Sequence, residues 1–166
     1  MALIRVFNGA VAVIFPCGDP KVYDTPTIRV ESSGKIKNKY DTAAMANLLI
    51  SYKDSRSGPA RGPDVLVILE AVHSLPKQGV ASSFTFGEGL GMWKGIIAAY
   101  GLPLEMVSPQ RWKKEIMADQ GREKSASRYK AVQIFPQVAD RLSRIKDDGR
   151  AEALLLAEYG RRLRKE

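Results

Sequence analysis

The stretch Val65-Leu-Val-Ile-Leu-Glu70, followed by Ala71-Val-His-Ser74, decides the fold of this chain. An unbroken run of Val, Leu and Ile after Gly62-Pro63-Asp64 predicts a central strand buried on both faces, as in a parallel sheet covered by helices. The run stops on a carboxylate. A charge at the end of a buried strand is costly unless a cation, a metal or hydrogen bonds hold it, so Glu70 is either a paired structural acid or a functional one. Taken alone, the two readings carry about equal weight.

Working outward, the next informative stretch is Lys146-Asp-Asp-Gly-Arg-Ala-Glu-Ala-Leu-Leu-Leu-Ala-Glu-Tyr-Gly160. A helix beginning near Asp148 and running to about Arg162 puts Asp148 and Glu152 on one face of its first turns. Spacing by itself favours an N-cap and a first-turn acid, each worth about 1 kcal/mol or less against the helix dipole. Beside a strand-end Glu, the same pair also suits a divalent-cation site.

Composition narrows the function classes. The 166 residues fit a single domain, 1–166, long enough to bury a core, and an apolar fraction of 45% excludes wholesale disorder. No apolar run approaches the roughly 18 residues of a spanning helix, and no signal-peptide pattern opens the chain. The expectation is therefore a soluble, intracellular, cytoplasmic protein with no membrane partner. Cys17 is the lone cysteine and there is one His, which excludes an internal disulfide and a zinc cluster. Any metal would be held by oxygen ligands, favouring magnesium (Mg2+) or manganese (Mn2+). The net charge of +8 points to a polyanionic partner. Residues 111–166 hold 15 Lys and Arg against 9 Asp and Glu, a net of +6, which leaves +2 for the first 110. Basic residues thus share a half of the chain with Asp148 and Glu152, a combination that cleavage of a phosphodiester needs.

The remaining segments supply the frame. Leu3 to Phe7 and Ala10 to Phe15 read as strands joined by the hairpin signal Asn8-Gly9, and Val22 to Thr27 as a third strand ended by Pro26. The lysine-rich residues 29–40 read as a loop, Asp41 as the N-cap of a helix through Leu49, and residues 54–63 as a second loop. After a turn at Leu75 to Gly79 come a helix over much of Val80 to Tyr100 and a strand at Leu104 to Val107. Ser108-Pro109 then starts another helix, and a further one covers Glu123 to Phe135 before Pro136. The predicted class is α/β: a three-strand antiparallel meander plus parallel strands in one mixed sheet flanked by helices.

The chain resembles the RuvC-like Holliday junction resolvases, especially the short phage-type members, within the ribonuclease H-like fold. The resemblance rests on Gly9-Ala-Val-Ala-Val-Ile14, Tyr23-Asp-Thr-Pro26, Leu69-Glu-Ala-Val-His-Ser74, Gln78-Gly-Val-Ala-Ser-Ser-Phe-Thr-Phe-Gly87, Ser108-Pro-Gln-Arg-Trp-Lys-Lys114 and Asp148-Gly-Arg-Ala-Glu-Ala-Leu-Leu155. These segments follow family order over nearly the whole chain. The resemblance implies a homodimer that binds four-way DNA junctions and nicks two strands symmetrically by magnesium-dependent hydrolysis. It implies Glu70, Asp148 and Glu152 as metal ligands, Asp147 exchangeable with Asp148, and Lys124 as a catalytic cation. Lys113, Lys114, Lys124 and Arg128 fall on basic positions near DNA phosphates. Gln78, Ser82, Ser83, Phe84 and Phe86 fall in the segment that meets the junction centre, although Phe84 and Phe86 suit a core almost equally well.

One family residue is missing. Family members end the first strand on Asp-Pro-Gly, whereas this chain reads Leu3-Ile-Arg-Val-Phe-Asn-Gly-Ala10, with Ile4 in the Asp column of an ungapped alignment. Neither Ile4 nor Asn8 supplies a charged oxygen ligand. Asp19 is expected at the wrong end of the sheet, and Asp24 away from the site. The runner-up reading is accordingly a junction-binding protein impaired in cleavage. A third class, a small-molecule α/β enzyme, predicts DNA binding without strong salt dependence or preference for branches.

Overall fold

The computed structural model describes residues 2–6, 9–32, 34–53, 65–71, 79–121, 123 and 125–163, with the backbone alone for 2–6 and 32. The loop expected over residues 54–63, most of the turn before Gly79, and the candidates Gln78 and Lys124 lie outside these residues. The main sheet has five strands: β1 (Ala2–Val6), β2 (Ala10–Ile14), β3 (Pro20–Asp24), β6 (Val65–Glu70) and β7 (Leu104–Val107). Their order is β3-β2-β1-β6-β7, with the first three antiparallel and β6 and β7 running parallel to β1. This is the expected meander plus parallel strands.

Alternation along the strands assigns each residue to a layer. Ala10, Ala12 and Ile14 of β2 and Leu66 and Ile68 of β6 pack into one core, whereas Val11, Val13, Val65, Val67 and Leu69 pack into another. The first core is covered by α3 (Pro109–Ile116), α4 (Ala126–Ile134) and α5 (Asp148–Leu163), and the second by α1 (Thr42–Lys53) and α2 (Val80–Ala99). Glu70 continues the Leu66 and Ile68 series, because side chains alternate with period two. Its position therefore belongs to the face beneath α3 and α5.

Local signals explain two helix starts, those of α1 and α3. The Ala44 amide donates to Asp41 Oδ1 at 2.9 Å, and the Arg111 amide donates to Ser108 Oγ at 3.3 Å with Pro109 behind it. Helix α5 is buried almost all round from Ala151 to Gly160 and crosses the sheet over β1 and β2. The one acid in that stretch past Glu152, Glu158, is satisfied by Arg161 and Arg162 at 2.6 and 3.0 Å. No helix among the described residues is long and apolar enough to cross a membrane.

Two expectations need correction, and the register of β1 adds a third finding. Residues 29–40 are not a loop: β4 (Thr27–Ser32) and β5 (Lys35–Tyr40) form an antiparallel hairpin as a sheet of their own. Lysine is a poor strand former by composition, but cross-strand pairing and the left-handed Gly34 at φ +71° override that weak preference. The third strand begins at Pro20 and stops at Asp24, before Pro26, with proline tolerated because β3 is an edge. Finally, Ile4 pairs with Val67, three residues short of Glu70, or about 10 Å along the strand. Ile4 is thus not the position facing Glu70, and the described pairing ends with Val6 opposite Leu69.

Candidate functional site

Three structural facts bring the candidate acids to one end of the sheet. Strands β1 and β6 are parallel, so the carboxyl end of β1 and Glu70 lie on the same side. Val6 pairs with Val11, so Gly9, which precedes β2, lies at that same end. A Cβ placed on Gly149 would lie 3.8 Å from Gly9 Cα, so the start of α5, which carries Asp148 and then Glu152, abuts Gly9.

Helix α3 links two of the acids. The fully buried Trp112 donates its indole Nε1–H to Glu70 Oε1 at 2.7 Å, and the next residue, Lys113, donates to Glu152 Oε1 at 2.9 Å. Glu70 is only 5% exposed, which makes this donor part of what keeps a carboxylate tolerable there. Lys113 also lies 5.2 Å from the centre of the Trp112 ring. Arg128 of α4 donates to Asp148 Oδ1 at 2.7 Å. Lys114 is exposed on α3.

We expect Trp112→Phe, which deletes the N–H and the five-membered ring of a fully buried indole, to lower stability by about 2–4 kcal/mol, since it removes a buried donor from a carboxylate and leaves a cavity. The change would be read as a lower urea midpoint with an unchanged slope. An unshifted midpoint would show that Glu70 does not depend on the indole.

The adjacent acids Asp147 and Asp148 have different surroundings. Asp147 is buried, accepts from the Arg144 amide at 2.9 Å and Arg144 Nη2 at 2.8 Å, and has Arg150 at 3.5 Å. The Arg144 guanidinium holds its carboxyl down at about 2. It works as the cap of the short 3-10 turn Ile145–Asp147, whereas Asp148 is 43% exposed with one cation beside it. Asp24 also departs from expectation. Its register opposite Ala10 puts it at the same sheet end as Gly9, where Arg150 binds both its oxygens and lowers its pKa. Asp19 is in the turn at the opposite end, as expected, with its carbonyl accepting from the Phe15 amide at 3.0 Å.

Oxygen donors suit a hard divalent cation, but their arrangement does not form its site. Among the described residues no three Asp, Glu, His or Cys stand close enough together to hold a metal. Asp148 and Glu152 are instead neutralised by Arg128 and Lys113. The structure therefore joins Asp148 and Glu152 to two predicted cations as ion pairs, and Glu70 to Trp112 by a hydrogen bond. Trp112 and Arg150 are contributors that the charge pattern does not reveal, because their role appears only through partners distant in sequence.

The junction-centre candidates lie apart, on the first turns of α2. Phe84 is 73% exposed, which rules out a core role, while Phe86 and Ser83 are half-buried and Ser82 is exposed.

No family model matches the chain. Over 102 residues it is 29% identical to a chloroplastic Holliday junction resolvase, MOC1, of Chlamydomonas reinhardtii; the match covers 61% of this chain and 12% of that relative. The chain thus spans a small part of the curated relative's length. In structure it is similar to Thermus thermophilus RuvC in complex with Holliday junction substrate, with a TM-score of 0.52 and 15% identity, covering 97% of this chain and 95% of that one. The likeness shows a RuvC-like, ribonuclease H-like fold.

Proposed function

Given a RuvC-like fold, we propose that this chain is a structure-specific endodeoxyribonuclease that binds four-way DNA junctions as a homodimer and nicks two strands symmetrically. The observation that carries the proposal is the gathering of Glu70, Asp148 and Glu152 at one sheet end with Lys113 and Arg128. The chloroplastic relative is named a Holliday junction resolvase, and the RuvC structure holds a junction substrate, which supports the same substrate class. The chain acts as one domain, and its substrate gives it an intracellular place of work.

Hydrolysis adds water at phosphorus and breaks one P–O bond to deoxyribose, so negative charge must be met at the phosphoryl oxygens. Lys113 and Arg128 are suited to this, because an entering phosphate competes with Glu152 and Asp148 for the same N–H groups. Glu70 stays fixed by Trp112. The proposal includes dependence on magnesium, or manganese, on the strength of the all-oxygen donor set. Since the described acids do not form a metal site, no step is assigned to the ion.

The test is cleavage of a labelled four-way junction and a matched linear duplex in magnesium, with binding measured in calcium. Paired nicks confined to the junction are expected. Binding without any nick would overturn the nuclease assignment for this chain. In that case, nicking gained on inserting Asp-Pro-Gly-Leu before Asn8 would identify the absent first acid as the cause. Equal, weak binding to both DNAs would overturn the substrate assignment.

A further inference from the structure

The β4–β5 hairpin has no role in the site just described, and its charge pattern is unlike that of any other element. Its described side chains are exposed except for Val30 and Tyr40, which are half-buried. It pairs with no strand of the main sheet. A two-stranded hairpin that buries no core is marginal by itself, so its sequence is free of packing demands. Directly paired residues share a face of an antiparallel ladder. The register sets Lys39 opposite Ile28, Lys37 opposite Val30 and Lys35 opposite Ser32, which puts all three lysines on one face. Along the strand they recur about every 6.5 Å. Arg29 lies on the other face, opposite Asn38.

The site cations Lys113 and Arg128 each have a carboxylate partner. Among the described residues, Arg29, Lys35, Lys37 and Lys39 have none within ion-pair distance. Lysines on an exposed strand can simply guard an edge against aggregation. Three on one face, without counter-charge, raise self-repulsion beyond what edge protection needs and are complementary to a polyanion.

The hairpin's base fixes where that polyanion would run. Thr27 follows β3 by two residues; the Thr25 amide donates to the Gly9 carbonyl at 3.2 Å and the Asp41 amide to the Pro26 carbonyl at 3.1 Å. The hairpin therefore springs from the sheet end that carries Gly9, Asp24 and the start of α5. Six residues extend about 20 Å from that rim. On its α2 side a groove of about 440 Å³ is lined by Lys37, Lys39, Tyr40 and the exposed Phe84, with Glu88 as its acid.

We infer that the β4–β5 hairpin is a clamp for a DNA arm, in which the face of Lys35, Lys37 and Lys39 holds the phosphodiester backbone of duplex leaving the carboxylate site. A two-stranded ribbon has the dimensions to lie along a DNA groove, and phosphate contacts of this kind add affinity without reading sequence. The inference rests on the junction-binding proposal and deepens it.

The experiment uses the full chain carrying Lys35→Gln, Lys37→Gln and Lys39→Gln together, with junction affinity measured in calcium across a range of salt. Loss of three phosphate contacts should reduce the slope of log affinity against log salt by about 2–3. At low salt, affinity should fall at least tenfold. A triple Lys→Arg variant should retain the wild-type slope, which separates lost charge from a damaged hairpin. An unchanged slope in the Gln variant, with wild type binding junctions salt-dependently, would overturn the clamp and leave the proposed function standing. If wild type itself binds no DNA, both fall.

Discussion

Replacing Glu70 by Gln is expected to reduce junction cleavage by about 10²–10³-fold, the range seen when one preorganised electrostatic group is removed from an active site. The substitution changes little else. Glu70 is 5% exposed at the end of β6, and an amide of the same shape still offers an oxygen to the Trp112 N–H that lies at 2.7 Å. Folding and calcium-supported junction binding should therefore remain near wild type. A structural acid predicts the opposite pattern, with altered stability and unaltered cleavage per folded molecule. Cleavage within threefold of wild type would remove Glu70 from the catalytic set. The Trp112→Phe variant complements this test, because it keeps the charge and removes the donor.

The second large effect separates two neighbours. Asp147→Ala should cost about 2–3 kcal/mol, because it deletes a buried carboxylate that holds an arginine side chain and a backbone amide. For a chain of this size that lowers the midpoint of thermal unfolding by roughly 5–10 °C. Asp148→Ala removes a partly exposed pair with Arg128, worth about 1 kcal/mol or less, yet should cut cleavage strongly. Acid titration gives an independent sign. Arg144 depresses Asp147 to about 2 in the folded protein, below the ordinary carboxylate range. Its contribution is therefore fully present above about pH 4 and is lost as the pH falls toward 2. Asp147→Ala should flatten that acid limb of the stability profile. If the two variants exchange phenotypes, the division between capping acid and site acid is reversed.

Lys113 and Arg128 connect the two results. Each stands on a carboxylate of α5, at 2.9 and 2.7 Å. Both pairs are partly exposed. Under the proposed function, a phosphate would offer the same cations a competing partner, coupling DNA binding to the release of Asp148 and Glu152. The measured consequence would be stronger salt sensitivity for cleavage than for binding by the hairpin alone.

The primary sequence by itself determined those features whose signals are local. An apolar run ending at Glu70 has to be a covered strand, Ser108-Pro109 and Asp41 start helices through their own backbone chemistry, and the i, i+4 spacing puts Asp148 and Glu152 on one face. The family pattern of short motifs implied the fold that the chain adopts. Only the tertiary structure decided matters that depend on partners remote in the chain. Ile4 is out of register with Glu70 because strand pairing, not ungapped alignment, sets which residues face each other. Asp147 is the buried capping acid and Asp148 the more exposed one because Arg144 holds the first and Arg128 the second. Residues 29–40 form a hairpin because pairing across Gly34 outweighs the poor strand preference of lysine. In each case the deciding energy is a contact between residues that nothing in their local sequence brings together.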